Sequence, residues 1–295
     1  MMPVSLDTLN ATDRQTFVTA LDGVMEHAPW VAEAAYAVRP FVTLAALNQA
    51  MVEAVRKAGG ERQRALIDGH PDLAGKAARE GMLTADSTAE QAGAGLDRLS
   101  EEEFAAFHRL NDAYRKKFGM PFIVCVRRHG RESILREFKR RLNNDAAAER
   151  ETALGEIFRI AALRLDQRVS APDRLRVHGH LSTHVLDTHG GHPAEGVAIE
   201  LCEVAAGGKA RTLKRAVTNA DGRTDAPLFS GTPIPIATYE LRFSISDYFA
   251  RRGVAMSDPP FLGVVPIRFA VAEPEGRYHV PLSVTPWAYS TYRGS

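Results

Sequence analysis

Several features that define other protein classes are scarce in this chain of 295 residues. It holds only two cysteines, Cys125 and Cys202, which excludes a disulfide scaffold and favours a reducing compartment, the cytoplasm. The 37 Lys and Arg residues are balanced by 36 Asp and Glu, so no basic field predicts a nucleic-acid partner. No apolar run approaches the roughly 18 residues of a membrane span, and charges within Met1–Phe17 speak against a signal peptide. We expect a protein without nucleic-acid or membrane partners.

Composition changes near residue 170. Eleven of the 16 prolines follow that point. The part before it is rich in Ala, Leu, Arg and Glu, which favour helices, and the part after it in Val, Ile, Thr and Tyr, which favour strands. We therefore predict two domains: an all-α, bundle-like domain at residues 1–168 and an all-β antiparallel sandwich at residues 177–295, joined by a linker at residues 169–176.

Apolar spacing and capping signals place helices in the first domain. Four apolar residues recur at intervals of three and four within Thr43–Ala58, which predicts an amphipathic helix there. Ser100 and Glu103 have the spacing of a capping box that opens a helix ending at Gly119. Two more helices are predicted at Ser133–Leu142 and Ala147–Leu165. The less regular stretch between residues 66 and 99 is typical of a loop region that carries functional groups.

Alternation with period two predicts strands in the second domain. Turn signals such as Asn219–Gly222 separate the apolar runs. The predicted strands are Val177–Asp187, Val197–Glu203, Leu213–Thr218, Tyr239–Ser246, Val264–Val271 and Tyr278–Val284.

Four motifs of the second domain together resemble the transthyretin-like 5-hydroxyisourate hydrolases. They are Leu181–Thr188, Asp221–Thr224, Tyr278–Leu282 and the terminal Tyr289–Ser295. The resemblance implies a transthyretin-like sandwich whose catalytic residues are His184, Arg223, His279, Tyr292 and Ser295, with Arg293 binding substrate.

The chemistry of these side chains agrees with that resemblance. Hydrolysis of a cyclic acylurea needs a nucleophilic water and a group that stabilises an oxyanion. Imidazole, with a pKa near 6.5, suits the first task, and an Arg fork suits a planar, urate-like ring. The last residues contain two aromatic rings and an Arg, so we predict that the tail folds into the hydrolase pocket, with Tyr292 and Ser295 donating hydrogen bonds there.

Histidine spacing in the same motif offers a metal alternative. His178, His180 and His184 would share one face of a strand, which could hold zinc. No Cys, Asp or Glu follows at ligand spacing, so we expect His178 and His180 to be exposed or interfacial, and we expect no metal.

The first domain resembles the decarboxylases of 2-oxo-4-hydroxy-4-carboxy-5-ureidoimidazoline (OHCU). The resemblance is carried by Ala65–Gly75, Leu83–Gln91, Phe118–Phe122 and the late helix with Arg159 and Arg164. It implies a catalytic pair, His70 and Glu90. It also implies a substrate pocket lined by Pro71, Ser87, Gln91, Phe122, Cys125 and Arg164.

Simpler interpretations exist for two of these motifs. Ser87 and Glu90 have capping-box spacing, so a helix beginning at Ser87 would explain both without catalysis. His70-Pro71 could equally be a turn. In the catalytic interpretation, Arg164 and Gln91 fix the substrate ring while His70 and Glu90 handle its hydroxyl group and a proton. The division of labour between that pair stays open.

The two resemblances concern consecutive reactions, because hydrolysis of 5-hydroxyisourate yields OHCU, which decarboxylation converts to (S)-allantoin. We therefore predict a bifunctional enzyme of urate breakdown that acts on these two small molecules without a cofactor. The resemblance also implies a homo-oligomer, with a tetrameric hydrolase part and a possible dimer contact in the decarboxylase part. The alternatives are a transthyretin-type carrier fused to a helical interaction module, which would not turn substrate over, and a His-rich metal-binding protein.

Overall fold

The computed structural model describes residues 3–74 and 83–294. The chain forms two compact units. The helical unit comprises Met1–Arg127 and Ser133–Val177, and the strand unit comprises Arg128–Glu132 and His178–Ser295. Among the described residues, no helix combines the length and the apolar content that crossing a membrane requires. The predicted fold class, helices first and a strand-rich region second, is confirmed.

The described helices range from single turns to the long α9. They are α1 (Leu6–Ala11), α2 (Arg14–Ala20), α3 (Pro29–Tyr36), α4 (Leu44–Lys57), α5 (Gly60–Asp68), α6 (Ala85–Gly93), α7 (Glu101–Phe118), α8 (Arg131–Arg141), α9 (Ala146–Arg168) and, in the strand unit, α10 (Ile245–Arg251).

Local signals set the ends of the predicted helices. Ser100 caps α7 and forms the predicted box with Glu103, while Gly119 ends the helix in the left-handed conformation with φ of 68°. In α4 the apolar stripe is buried throughout, and the helix begins at the Thr43 cap as predicted. These stripes pack into one core because each helix must cover its apolar face.

The predicted linker, residues 169–176, carries contacts of the helical unit. Val169–Ser170 forms a short strand, β2, that pairs in parallel with β1, Val4–Ser5. The Asp173 carboxylate accepts hydrogen bonds from the backbone N–H groups of Leu44 and Ala45, at 2.8 and 3.1 Å. A carboxylate at a helix N-terminus satisfies N–H groups that have no partner within the helix. The segment is therefore structured rather than a flexible spacer.

The strand unit contains two sheets of four strands and one extra pair. Its strands are β3 (His180–Ser182), β4 (Val185–Asp187), β5 (His192–Pro193), β6 (Ala198–Val204), β7 (Ala210–Val217), β8 (Ala237–Ser244), β9 (Val264–Val271), β10 (Arg277–His279), β11 (Leu282–Val284) and β12 (Tyr289–Thr291). The orders are β7-β6-β8-β9 and β12-β11-β4-β5, with β3 beside β10. The first sheet is antiparallel, as predicted, whereas β3·β10 and β4·β11 run parallel.

Two of the predicted strands are each split into two shorter strands, and the two breaks lie side by side. Leu181 pairs with Tyr278 before the break and Val185 pairs with Leu282 after it, so the register is unchanged. Pro281 lies in the gap and has no N–H to donate to a ladder. The Thr183 hydroxyl spans the gap by donating to the Val280 carbonyl at 2.7 Å.

The predicted strand Tyr239–Ser246 is wrong at its end, because helix α10 begins at Ile245. Ile245, Tyr248 and Phe249 are spaced for one helical face and all are buried. A run this short satisfies either period, so alternation alone could not separate strand from helix. Pro266 is accommodated because β9 is an edge strand.

Candidate active sites

One face of α6 presents three of the predicted decarboxylase residues. Ser87, Glu90 and Gln91 follow the spacing i, i+3, i+4, which places them side by side. The helix begins at Ala85 and its cap is Thr84, whose hydroxyl accepts the Ser87 N–H at 3.3 Å. The interpretation of Ser87 as the helix start is therefore wrong, and its side chain is left to face a cavity.

The cavity lies among α5, α6, α9 and the segment after α7. Seven predicted residues line it: His70, Pro71, Ser87, Glu90, Gln91, Phe122 and Arg164. They come from four separate parts of the sequence. Cys125, the eighth predicted residue, is buried, and its backbone N–H donates to Glu156 Oε2 at 2.8 Å. The wall is formed by its neighbours Ile123, Val124 and Val126.

Arg164, on α9, is the most heavily bonded side chain of the cavity. It holds Glu90 through two bonds, Nε to Oε1 at 3.0 Å and Nη2 to Oε2 at 2.7 Å. Nη2 also donates to Ser87 Oγ at 3.3 Å, and Nη1 to the Gly23 carbonyl at 3.0 Å. Arg164 is thus held by the protein itself, and both oxygens of Glu90 are occupied by a cation.

His70 lies in the cavity as a neutral base. Its Nδ1 is 2.8 Å from the Leu66 carbonyl, which can only accept, so Nδ1 carries the proton and Nε2 the lone pair. Burial lowers the pKa of His70 below its ordinary value, although the Leu66 carbonyl and Glu26 act in the opposite direction. The ring is therefore uncharged near pH 7 and can accept a proton at Nε2.

Gln91 presents a donor to the cavity. Its Oε1 accepts the Ala74 N–H at 3.1 Å, which within residues 3–74 and 83–294 leaves the amide NH₂ for a ligand. Ala74 has a φ of +50°, an uncommon conformation for a residue with a Cβ. Backbone in such a conformation persists where surrounding contacts hold it, and it occurs often beside ligand sites.

Glu26 also lines the cavity, and sequence reasoning missed it. It lies in the turn before α3 and is 3% exposed. Its carboxylate accepts from the Thr84 and Ser87 hydroxyls and lies 3.5 Å from Arg164 Nη1. The one signal available was an acidic residue directly after the apolar pair Val24-Met25, which is too common a pattern to select it.

In the strand unit, His184 follows the end of β3 beside the predicted turn. Its ring donates to the Asp221 backbone, and among the described residues Nε2 has no hydrogen-bond partner. Burial lowers the pKa of His184, and the positive charge of Arg223 lowers it further. The imidazole is therefore neutral near pH 7, with a lone pair available.

The turn that carries Arg223 is fixed against the same strand. His184 and Arg223 form an antiparallel bridge, and Asn219 Oδ1 accepts the Arg223 N–H at 3.2 Å. Gly222 has a φ of +70°, and a Cβ there would lie 2.3 Å from the Val185 carbonyl oxygen. Only glycine permits this approach, which places the exposed Arg223 beside the imidazole.

His279, on β10, lies next to Ser182 on β3. The Ser182 hydroxyl and His279 Nδ1 are 3.0 Å apart, a contact that sequence reasoning missed. Burial lowers the pKa of His279, and Arg223 and His184 lower it as well. The three predicted residues His184, Arg223 and His279 therefore lie close enough for their charges to affect one another.

The tail returns across His279, whereas the pocket hydrogen bonds predicted for Tyr292 and Ser295 stay a prediction. The Gly294 N–H donates to the His279 carbonyl at 2.8 Å, and a Cβ on Gly294 would lie 2.8 Å from the imidazole Cδ2. The Arg293 guanidinium stacks on the Tyr278 ring, 4.9 Å from its centre. Tyr292 is 66% exposed, so it does not pack within this chain. Ser295 lies outside the described residues.

Comparison with known proteins gives each unit a family. Residues 10–166 match the family described as OHCU decarboxylase, and residues 181–294 match the HIUase/Transthyretin family. The chain belongs to both families. The first match alone covers more than half of the sequence.

Individual relatives agree with this division into a decarboxylase unit and a hydrolase unit. The 5-hydroxyisourate hydrolase of Deinococcus radiodurans is 56% identical over 119 residues, which are 40% of this chain and 98% of the relative. The 2-oxo-4-hydroxy-4-carboxy-5-ureidoimidazoline decarboxylase of Haloferax volcanii is 40% identical over 171 residues, which are 58% of this chain and 99% of the relative. Each relative is matched almost from end to end.

A solved structure covers both units at once. The crystal structure of an (S)-allantoin synthase is 33% identical, with a TM-score of 0.54, over 99% of this chain and 100% of the other. The order of the two units in a single polypeptide is therefore shared with a protein of that name.

The metal alternative required His178, His180 and His184 to share one strand face. Across residues 3–74 and 83–294, no three His, Cys, Asp or Glu side chains lie together as ligands. β3 spans only His180–Ser182, so the continuous strand face that would join His178 and His184 does not form.

Proposed function

We propose that this chain is a bifunctional enzyme that hydrolyses 5-hydroxyisourate in its hydrolase unit and decarboxylates the resulting OHCU to (S)-allantoin in its decarboxylase unit. The observation that carries the proposal is the presence, in one chain, of complete matches to enzymes named for two consecutive reactions. The transthyretin-type carrier is the weaker candidate, because binding alone does not call for two neutral imidazoles beside an arginine.

Hydrolysis follows from the group of His184, Arg223 and His279. A neutral imidazole takes a proton from water as the water oxygen bonds to the ring carbonyl carbon of the substrate. The carbonyl oxygen becomes an oxyanion, which the exposed Arg223 fork stabilises. The ring C–N bond then breaks, and the leaving nitrogen takes the proton back from the imidazolium. His184 suits the role of base because its Nε2 lone pair is unoccupied by the described residues.

We assign the proton transfer in decarboxylation to His70. Glu90 is engaged at both oxygens by Arg164, which leaves it a poor proton donor. The Nε2 of His70 can accept the proton of the substrate hydroxyl group and return one to carbon after the bond to the carboxylate breaks. The electron pair left by CO₂ enters the ring of the substrate, whose carbonyl group accepts it. Gln91 would hold the ring through its NH₂ group. No step in this scheme uses a cofactor.

The deciding experiment uses freshly made 5-hydroxyisourate. Ultraviolet absorbance follows its disappearance, and circular dichroism follows the formation of optically active allantoin. We expect both signals to exceed the spontaneous rates, and exhaustive chelation to leave them unchanged. Binding of substrate with no acceleration of either step would instead favour the carrier.

The tail and the assembly are further parts of the proposal. Removing Tyr292–Ser295 should lower hydrolysis by about 10²-fold, as expected when positioning groups are lost, and leave decarboxylation intact. The strand β12 is a sheet edge with exposed residues, which suits a contact in a homo-oligomer. Sedimentation of the full chain tests that contact. The cytoplasm remains the proposed compartment, since both cysteines are buried thiols.

A further inference from the structure

Glu26 occupies an unusual position for a carboxylate in a short turn. It lies between α2 and α3, and the next residue, His27, has a φ of +55°. It is 3% exposed, yet its partners come from elsewhere in the chain: Thr84 and Ser87 on or before α6, and Arg164 on α9. A buried carboxylate with such distant partners joins the elements that carry them.

The first consequence concerns the hydroxyl of Ser87. Its oxygen lies 3.0 and 2.9 Å from the two oxygens of Glu26, which can only accept while ionised. The Ser87 proton must therefore point at Glu26. The same oxygen accepts from Arg164 Nη2 at 3.3 Å. Ser87 is consequently presented to a ligand as an acceptor, suited to an N–H group of a ureide and unsuited to a carboxylate.

The second consequence concerns Arg164. Glu90 holds one edge of its guanidinium, while Glu26 and the Gly23 carbonyl lie at Nη1. Without Glu26, the Gly23 carbonyl would be the one hydrogen-bond acceptor left at that nitrogen among the described residues. The plane of the guanidinium, and with it the position of Glu90, is thus fixed from two sides.

The third consequence is electrostatic. Burial alone would raise the pKa of Glu26, but the Thr84 hydrogen bond, the Arg164 charge and the Ser87 hydrogen bond together hold it below its ordinary value. An ionised Glu26 raises the pKa of His70, while Arg164 and His27 lower it. Glu26 thus acts on the pKa of His70 in the direction opposite to Arg164 and His27.

We propose that Glu26 is a positioning residue of the decarboxylase site, which fixes the hydroxyl of Ser87 as an acceptor and aligns Arg164. This inference rests on the proposed decarboxylation. It adds a role for a residue that contacts the groups lining the cavity rather than the reacting atoms.

The test compares three variants in the full-length chain. Glu26→Gln removes the charge and keeps the size, whereas Glu26→Asp keeps the charge and shortens the reach. Glu33→Gln is the matched control, since the Glu33 side chain is 43% exposed and its carboxylate pairs with Arg14 at 3.2 Å, away from the cavity. OHCU is supplied by a His70→Asn chain whose hydrolase unit is intact, and circular dichroism then reports (S)-allantoin formation.

We expect Glu26→Gln to lower the decarboxylase kcat by about 10²-fold, as for loss of a positioning group. In this variant, the acid limb of the plot of kcat against pH should move to lower pH, because His70 loses a negative neighbour. Glu26→Asp should have a lower kcat, while the acid limb of its pH profile stays near that of the parent. Glu33→Gln should match the parent in both kcat and the acid limb. The His70 ring titration, followed by NMR without substrate, should shift with the limb in Glu26→Gln.

Other outcomes separate the inference from the proposed function. A parent chain that forms no (S)-allantoin above the spontaneous rate would reject the decarboxylation itself, whatever Glu26 does to the His70 titration. Parent activity together with an unchanged rate or an unmoved titration in Glu26→Gln would overturn the role of Glu26. If Glu26→Gln does not fold, a Glu26→Asp variant with parental kcat would overturn it equally.

Discussion

The two candidate sites differ in whether their charged and basic groups are already hydrogen-bonded within the protein. In the decarboxylase unit Arg164 is 4% exposed and its nitrogens donate to Glu90, Ser87 and Gly23. In the hydrolase unit Arg223 is exposed, and His184 Nε2 has no partner among the described residues. The cation of the first site is buried in an ionic network, whereas the cation of the second site is exposed.

This difference suits the two proposed reactions. Water is a reactant in hydrolysis, so a base whose lone pair has no partner among the described residues is useful. In decarboxylation a transient carbanion must meet one proton at one face, and exclusion of water limits side reactions. Burial also strengthens electrostatic contacts, which allows Arg164 and the two carboxylates to stay aligned.

The greatest loss of a single activity is expected for His70→Asn. Loss of a general base costs about 10² to 10⁴-fold in rate, so decarboxylation should fall to near the spontaneous level. Hydrolysis should be unaffected, because the hydrolase residues lie in the other unit. Circular dichroism after complete hydrolysis measures the first effect and ultraviolet absorbance the second. Loss of both activities in a folded variant would refute one site per unit.

The reciprocal change is Arg223→Ala. Removing an oxyanion-stabilising donor costs about 10² to 10³-fold, and the side chain is exposed, so stability should change little. The hydrolase kcat/KM measures the loss, and the melting temperature serves as the control. Arg223→Lys should restore only part of the rate, since an ammonium group lacks the planar fork. Full activity in Arg223→Ala would remove this residue from the site.

A smaller effect is expected for Gly294→Ala. The new methyl group would lie 2.8 Å from the imidazole of His279, so the tail or the ring must shift. We expect the hydrolase kcat to fall about 10-fold, since small misplacements of catalytic groups are costly. Gly263→Ala is the matched control, because a Cβ there meets nothing within 4 Å. Equal activity of the two variants would show that the tail does not constrain His279.

A smaller effect still is expected in the pH dependence of hydrolysis. The pKa values of His184 and His279 are both lowered, first by burial and then by Arg223. Each imidazole therefore stays neutral to a lower pH than an ordinary histidine with a pKa near 6.5. The rate should hold as pH falls through that value and decline only below it. In Arg223→Ala the residual activity should decline at a higher pH than in the parent, and an unmoved limb would argue against this coupling.

Local rules in the sequence predicted much of the fold. The helix α7 was set by its own cap at Ser100 and its glycine end, and the strand β9 has its predicted bounds. The ends of α7 depend on contacts within a few residues, whereas β9 shows its predicted alternation while pairing with the distant strand β8. The predicted end of β8 was wrong because Ile245–Arg251 forms a helix. The apolar face of that helix is buried against the sheet, which is a tertiary contact.

Residues of both candidate sites could be named from the sequence, because the motifs that resemble the two families can be read along the chain. His70, Ser87, Glu90 and Gln91 could be named without coordinates, and so could the group around His184. Only the tertiary structure decided that Glu26 joins Arg164 and Ser87, that Glu90 is held at both oxygens, and that Ser182 lies beside His279. The partners in those contacts are distant along the chain. No local pattern records them, because burial and charge pairing act through space.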